Sequence, residues 1–251
     1  AFGSVYAARR AVSGEEPVVA AVKVVDLRPK DGEKTPNSRE QRLRRVVETE
    51  IGMLTGLPKS DNIVIFYGFH KAESLVYMVM EKCSMSCLRA LECMPTLTEV
   101  TLRCVLKDMM NGLSVCHAAS IVHRDVKPDN FLACPRGGPK DGFIFKLCDF
   151  GLATKLTSPE AVEMEDIYGT PPFMAPDMLD KTPYCAKVDV WAIGVIAYAL
   201  LFGTWPYVPA TMTGASMKAA ILLGKPEPRF RSRAGLPAVS VDCSAWVEAL
   251  L

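Results

Sequence analysis

Apolar and polar positions divide the chain into β-branched runs near its start and longer helical repeats after them. Val18 to Val25 is almost unbroken valine and alanine with one lysine inside it, Lys23, and predicts a strand. Asp26 to Arg39 is polar, carries Pro29, Asp31-Gly32 and Pro36, and predicts a loop. From Glu40 to Leu57 the residues Leu43, Val46, Val47, Glu50, Ile51 and Leu54 recur at helical spacing. Asn62 to Phe69 and Leu75 to Met80 predict two further strands. Leu88 to Met94 and Thr98 to Ser120 predict helices, the second amphipathic through Leu102, Val105, Leu106, Met109, Leu113 and Val115. Between Leu132 and Phe143 a stretch rich in glycine and proline reads as a loop joining two short strands. Val190 to Phe202 is the most apolar run; it is too short to span a bilayer and predicts a buried helix. Ser216 to Leu223 and Ser240 to Leu251 predict two later helices, with Ser240 as an N-cap.

Composition narrows the class. A chain of 251 residues, 49% hydrophobic, can bury a large core as one domain or two lobes. A net charge of +1 gives no global attraction to nucleic acid or an anionic membrane. Nine cysteines occur without a CxxC pair or a Cys/His cluster of zinc spacing, which predicts free thiols in a reducing compartment. No N-terminal segment has signal-peptide character, so the expected location is cytoplasmic, with the nucleus also open.

The chemistry gathers between Ile121 and Gly151. One segment runs from Val122 through His123, Arg124, Asp125, Lys127 and Asn130 to Leu132; the other runs from Phe145 to Cys148, Asp149, Phe150 and Gly151. Phosphoryl transfer needs a carboxylate to receive a hydroxyl proton, which suits Asp125. It also needs hard oxygen donors for Mg²⁺, which suits Asn130 and Asp149. Either segment alone would be weak: three common residues, or a turn after a strand. Both in order, with Lys127 and Asn130 in register, form a specific pattern.

Together the two segments resemble the catalytic and magnesium loops of the protein kinases. The resemblance implies an α+β, two-lobed kinase fold. Residues 1–80 would form a small antiparallel sheet lobe with one main helix, 81–86 a hinge, and 87–251 a mainly helical lobe. It also implies ATP- and Mg²⁺-dependent phosphorylation of protein serine or threonine. Ala1 to Tyr6 resembles the second half of a glycine-rich loop, with Gly3 and Val5 near the phosphates; the other two expected glycines are missing. Lys23 would hold phosphates and pair with Glu50. Met80 resembles the gatekeeper, Glu81 and Cys83 the adenine-binding hinge, and Cys87 a position near the ribose. Ala21, Leu132 and Cys148 join the nucleotide-contacting set. Asp125 would be the catalytic base, Lys127 would stabilise the transferring group, and Asn130 and Asp149 would ligate magnesium. Asp189 would hold the catalytic-loop backbone, and Leu54, Phe66, His123 and Phe150 resemble the stacked spine of an active kinase.

Gly169 to Pro176 is similar to the substrate-positioning loop of serine/threonine kinases. Asp177 stands where the family has Glu, and the chain stops before the arginine that should partner it, so truncation at both ends is expected. The subgroup likeness is loosely to the calcium/calmodulin-dependent kinases. Arg124 in such kinases faces a phosphorylated activation-segment residue. That position here is Asp166, which predicts an Arg124–Asp166 pair in place of phosphate; the competing expectation is a phosphosite at Thr157 or Ser158. Protein substrates are expected, without nucleic acid or a membrane span, and the oligomeric state stays open. The alternative reading is a pseudokinase-like binding or scaffold module without turnover. A small-molecule phosphotransferase is disfavoured by Gly169-Thr170-Pro171.

Overall fold

Valine-rich and alternating stretches near the start of the chain build a sheet around the lysine-bearing run. The structure, a computed structural model, describes residues 3–10, 18–28, 38–94, 96–136, 142–231 and 238–251. β1 (Ser4–Arg10) and β2 (Val18–Asp26) are followed by helix α1 (Ser38–Gly56), then β3 (Phe66–Ala72) and β4 (Leu75–Glu81). The four strands form one antiparallel sheet in the order β1-β2-β4-β3. Lys23 therefore sits in an inner strand, opposite Val5 on one side and Met78 on the other. The apolar stripe of α1, Val47, Ile51 and Leu54, packs in one core with Val25, Val76 and Met78.

After β4 the chain crosses into a second, mostly helical layer through β5 (Met85–Ser86) and α2 (Cys87–Glu92), then α3 (Glu99–Ala118). Ser86 and Thr98 cap these two helices by accepting from Arg89 N and Thr101 N. β6 (Ile121–Val122), β7 (Phe131–Pro135), β8 (Phe143–Leu147) and β9 (Thr154–Lys155) form small sheets, β5-β7-β8 and β6-β9. Helices α4 (Pro176–Asp180), α5 (Lys187–Phe202), α6 (Gly214–Leu223) and α7 (Val241–Glu248) follow in the same layer. The most apolar run becomes α5, buried on most sides and ended by Gly203 in the left-handed region at φ 67°. Among the described residues no helix is long and apolar enough to cross a membrane.

Two expectations are corrected. The strand expected from Asn62 begins only at Phe66, because residues 62–64 pair with the other lobe instead. Leu147 N donates to Asn62 O at 2.9 Å, Val64 N donates to Leu147 O at 3.0 Å, and Asn62 Nδ2 donates to Phe145 O at 3.1 Å. Gly112 permits this approach: a Cβ there would lie 2.7 Å from Asn62 O. The thiols are also not all free, since Cys83 and Cys134 are joined by a disulfide while the other seven remain free. Pairing of β5 with β7 sets Met85 opposite Ala133, and that register brings the two cysteines together from 51 residues apart.

Candidate active site

A lysine buried in an inner strand needs a counter-charge. Lys23 is 7% exposed, and its Nζ donates to both oxygens of Glu50, at 2.7 and 2.6 Å, and to Asp149 Oδ1 at 3.3 Å. Helical spacing on α1 aims Glu50 at the sheet beside Ile51, so the apolar stripe also delivers the carboxylate. Burial works against the Lys23 charge, but Glu50 and then Asp149 outweigh it and hold the ammonium above its usual value. Asp149 shows the mirror balance: burial opposes its charge, and Lys23 wins, holding the carboxyl below the ordinary range.

The segment from His123 to Asn130 leaves β6 on a backbone held from below. Asp189, in the first turn of α5 and 1% exposed, accepts from His123 N at 2.8 Å and from Arg124 N at 2.9 Å. His117 Nε2 lies 2.9 Å from the same carboxylate. This clamp holds Arg124 at φ 64°, and Asp149 also lies at φ 64°. Such non-glycine conformations cost about 1–3 kcal/mol each and persist only where the surroundings over-determine them. His123 and Phe150 are wholly buried in edge contact, with ring centroids 5.1 Å apart. Leu54 lies in the same core as Phe150, with Phe66 packed against it.

Asp125 is fully engaged. Lys127 Nζ donates to its Oδ2 at 2.8 Å, and Thr170 Oγ1 donates to its Oδ1 at 2.8 Å. Lys127 also donates to Thr170 Oγ1 at 2.8 Å, which closes a triangle of carboxylate, lysine and facing hydroxyl. Asn130 Nδ2 donates to Asp125 O at 2.7 Å and to Oδ2 at 3.2 Å, leaving its amide oxygen as the group it can offer a cation. The hydroxyl of Thr170 on the aspartate is a contact that sequence alone did not indicate.

Between the two layers lies a cavity of about 790 Å³. Val5, Ala21, Lys23 and Glu50 line it from the sheet side, and Met80, Glu81 and Cys83 from the connection. Lys127, Asn130, Leu132, Cys148 and Asp149 line it from the opposite side. Two of the expected nucleotide-contacting residues are not brought there. Gly3 packs against β2, where a Cβ would lie 2.5 Å from Val24 O, and it does not border the cavity. Cys87 is wholly buried as the first residue of α2, and Ser86, the cap before it, faces the cavity instead.

Glu81 reaches the cavity wall, yet its carboxylate points elsewhere. Both of its oxygens accept from Lys146 Nζ at 2.9 Å, and Oε1 also accepts from Ile65 N at 2.6 Å. The expected Arg124–Asp166 pair is absent. Arg124 Nε donates to Leu152 O at 2.7 Å, and its guanidinium carbon lies 4.5 Å from the Tyr168 ring centroid. Asp166 has an exposed side chain and contributes only its backbone carbonyl, which accepts from Tyr184 OH at 2.6 Å. The segment runs over Arg124 backbone to backbone, so Tyr168 reaches the cation before Asp166 can. Thr157 is engaged by Glu163, donating from N at 2.7 Å and from Oγ1 at 3.2 Å.

Residues 1–231 match the family described as protein kinase domain. Calcium/calmodulin-dependent serine/threonine-protein kinase 1 of Oryza sativa subsp. japonica is 33% identical over 207 residues, 82% of this chain and 33% of that protein. CDPK-related kinase 7 of Arabidopsis thaliana is 34% identical over 207 residues, 82% of this chain and 34% of its own. Inactive serine/threonine-protein kinase PLK5 of Mus musculus is 36% identical over 173 residues, 68% of this chain and 28% of its own. The chain spans about a third of the length of these curated relatives.

Proposed function

The chain belongs to the protein kinase domain family, and we propose that it transfers the γ-phosphoryl group of ATP to serine or threonine hydroxyls of proteins. The two-lobed fold and the serine/threonine kinases among its relatives support this class. The observation that carries the reading is Asp125, oriented at 2.8 Å by Lys127 and by Thr170 from the facing segment. It stands beside a cleft whose walls hold the Lys23–Glu50–Asp149 cluster.

In this mechanism Asp125 takes the proton of the acceptor hydroxyl as its oxygen attacks the γ-phosphorus and ADP departs. Lys127 stabilises the charge on the transferring group, and Lys23, fixed by Glu50, holds phosphate oxygens. The family uses Mg²⁺, and the donor set fits it. Asn130 offers its amide oxygen, Asp149 offers the oxygen not used by Lys23, and both border one cavity. Magnesium held by Asn130 and Asp149 would supply positive charge to neutralise the phosphates.

The test is Mg-ATP turnover on a mixed serine/threonine peptide library. Asp125→Asn is expected to lower kcat by about 10² to 10⁴-fold with little change in nucleotide affinity. Asp149→Ala should lose both turnover and metal-dependent nucleotide binding. Equal losses of nucleotide affinity in the two variants would overturn these roles. Nucleotide binding without any turnover by the unaltered chain would instead support the binding-module reading, which one inactive relative keeps in view.

A further inference from the structure

Arg124 lays its side chain against the segment that follows Asp149. Its backbone N is clamped by Asp189 from α5, as described above. Among the described residues its guanidinium forms no ion pair within 4.0 Å. Two neutral groups lie against it: the Leu152 carbonyl at 2.7 Å and the Tyr168 ring at 4.5 Å.

We propose that Tyr168 is a positioning residue for phosphoryl transfer, its ring holding the Arg124 guanidinium and so fixing the Gly169–Thr170 turn on Asp125. The proposal deepens the kinase reading and rests on it. Three observations carry it. First, a guanidinium over an aromatic face is attracted by the ring quadrupole, more strongly where water is partly excluded. Second, the next residue, Gly169, lies at φ 112°, and a Cβ there would be 2.5 Å from Arg124 O. The segment therefore rests directly on the catalytic-loop backbone immediately after the ring. Third, the residue beyond is Thr170, whose hydroxyl donates to Asp125 Oδ1 at 2.8 Å. Ring, close backbone contact and hydroxyl are three consecutive residues, so displacement of the ring propagates to the base within two peptide units.

The rest of the segment is tied in the same way, by neutral or internal groups. Tyr184 N donates to Met164 O at 2.9 Å, the Tyr184 hydroxyl reaches Asp166 O at 2.6 Å, and Glu163 holds Thr157. The Arg124 cation that a phosphate or carboxylate would neutralise is met by a ring face. Order in this segment therefore needs neither phosphorylation nor the Asp166 side chain.

The test uses the chain with Tyr168→Leu and Tyr168→Phe, before and after phosphatase treatment. Phosphatase treatment should leave the unaltered chain fully active. Tyr168→Leu should lower kcat roughly five- to thirtyfold while KM for ATP stays within about twofold, because Lys23 and Asp149 are untouched. Tyr168→Phe keeps the ring face and should retain near-normal kcat. The loss from Tyr168→Leu should largely vanish in an Arg124→Met background. Amide hydrogen exchange across 164–170 gives a readout independent of turnover: faster exchange in the leucine variant, normal exchange in the phenylalanine variant. Unchanged kcat and exchange in Tyr168→Leu, a phenylalanine variant as impaired as the leucine one, or loss of activity on dephosphorylation would each overturn the proposal. Absence of turnover in the unaltered chain, with the exchange pattern as expected, would refute the kinase reading and leave the Arg124–Tyr168 latch standing.

Discussion

Cys148 precedes Asp149 on the wall of the cleft, and its thiol is pushed up to about 12, first by burial and then by the Asp149 anion. Cys87 and Cys116 are likewise pushed up to about 12, chiefly by burial, with Asp129 and Asp189 adding to it. The nucleophile is the thiolate, so against the ordinary value of 9.0 these groups present roughly a thousandfold less of it at pH 8. Iodoacetamide at pH 8 should therefore alkylate the exposed Cys93 and Cys104 and leave Cys87, Cys116 and Cys148 unlabelled in the folded chain. Because the shift is upward, labelling of Cys148 should rise only as pH approaches 12 or the fold opens. Mass mapping of the labelled peptides checks this, and Cys148 reacting as fast as Cys93 at pH 8 would contradict it. At this scale the sequence was informative where chemistry and neighbour order coincide: Lys23 does meet Glu50, and Asn130 and Asp149 border one cavity. It failed at Cys87 for a geometric reason. The helix starts one residue earlier than its apolar pattern suggests, which turns Cys87 into the core and leaves Ser86 at the cleft. Arg124 was misassigned for a similar reason, since charge complementarity favoured Asp166 and chain path favoured Tyr168.

One link between the layers joins β4 to β8. Lys146 on β8 meets Glu81 at the end of β4 with both oxygens at 2.9 Å, and their side chains are only 8% and 15% exposed. Removing one partner of a buried pair leaves a stranded charge, which costs about 3–5 kcal/mol. Lys146→Met should therefore lower unfolding stability by about 3 kcal/mol. Lys146→Met with Glu81→Gln should recover much of the loss, because the amide oxygen can still accept from Ile65 N. Urea unfolding of the two variants measures this, and a double variant no more stable than Lys146→Met would show that the pair adds more than charge balance. Periodicity revealed the long elements: Val47, Ile51 and Leu54 on α1, and Leu102, Val105, Leu106, Met109 and Leu113 on α3, are all buried as their spacing implies. It could not reveal α4 or the two-residue strands β5, β6 and β9, which are too short for any pattern to recur within them. Asn62 to Val64 has the composition of a strand but pairs with β8, a choice made by tertiary contact, and the chain joins β4 only from Ile65, whose carbonyl accepts from Glu81 N at 2.9 Å.

Across the whole molecule, Cys83 and Cys134 bind the connection to the strand that floors the cleft. Cys83 lies just past β4, and Cys134 is on β7 two residues after Leu132; both Cys83 and Leu132 line the cavity. The cross-link spans 51 residues of sequence, including α2, α3 and the catalytic loop. In the chain-entropy account a loop of that size stabilises by about 4 kcal/mol at room temperature, acting mainly on the unfolded state. Sequence reading missed the bond because no spacing rule pairs cysteines so far apart. Only the β5–β7 register brings them together. Cys134→Ser should lower stability by about 2–4 kcal/mol, and dithiothreitol should reproduce that loss in the unaltered chain without affecting the variant. Apparent KM for ATP should rise under the same conditions, since the cavity wall at Cys83 and the floor at Leu132 are then held only by backbone pairing. Denaturant titrations and steady-state kinetics with and without reductant decide the matter. Identical stability of oxidised and reduced chains would mean that the β5–β7 ladder alone holds the connection.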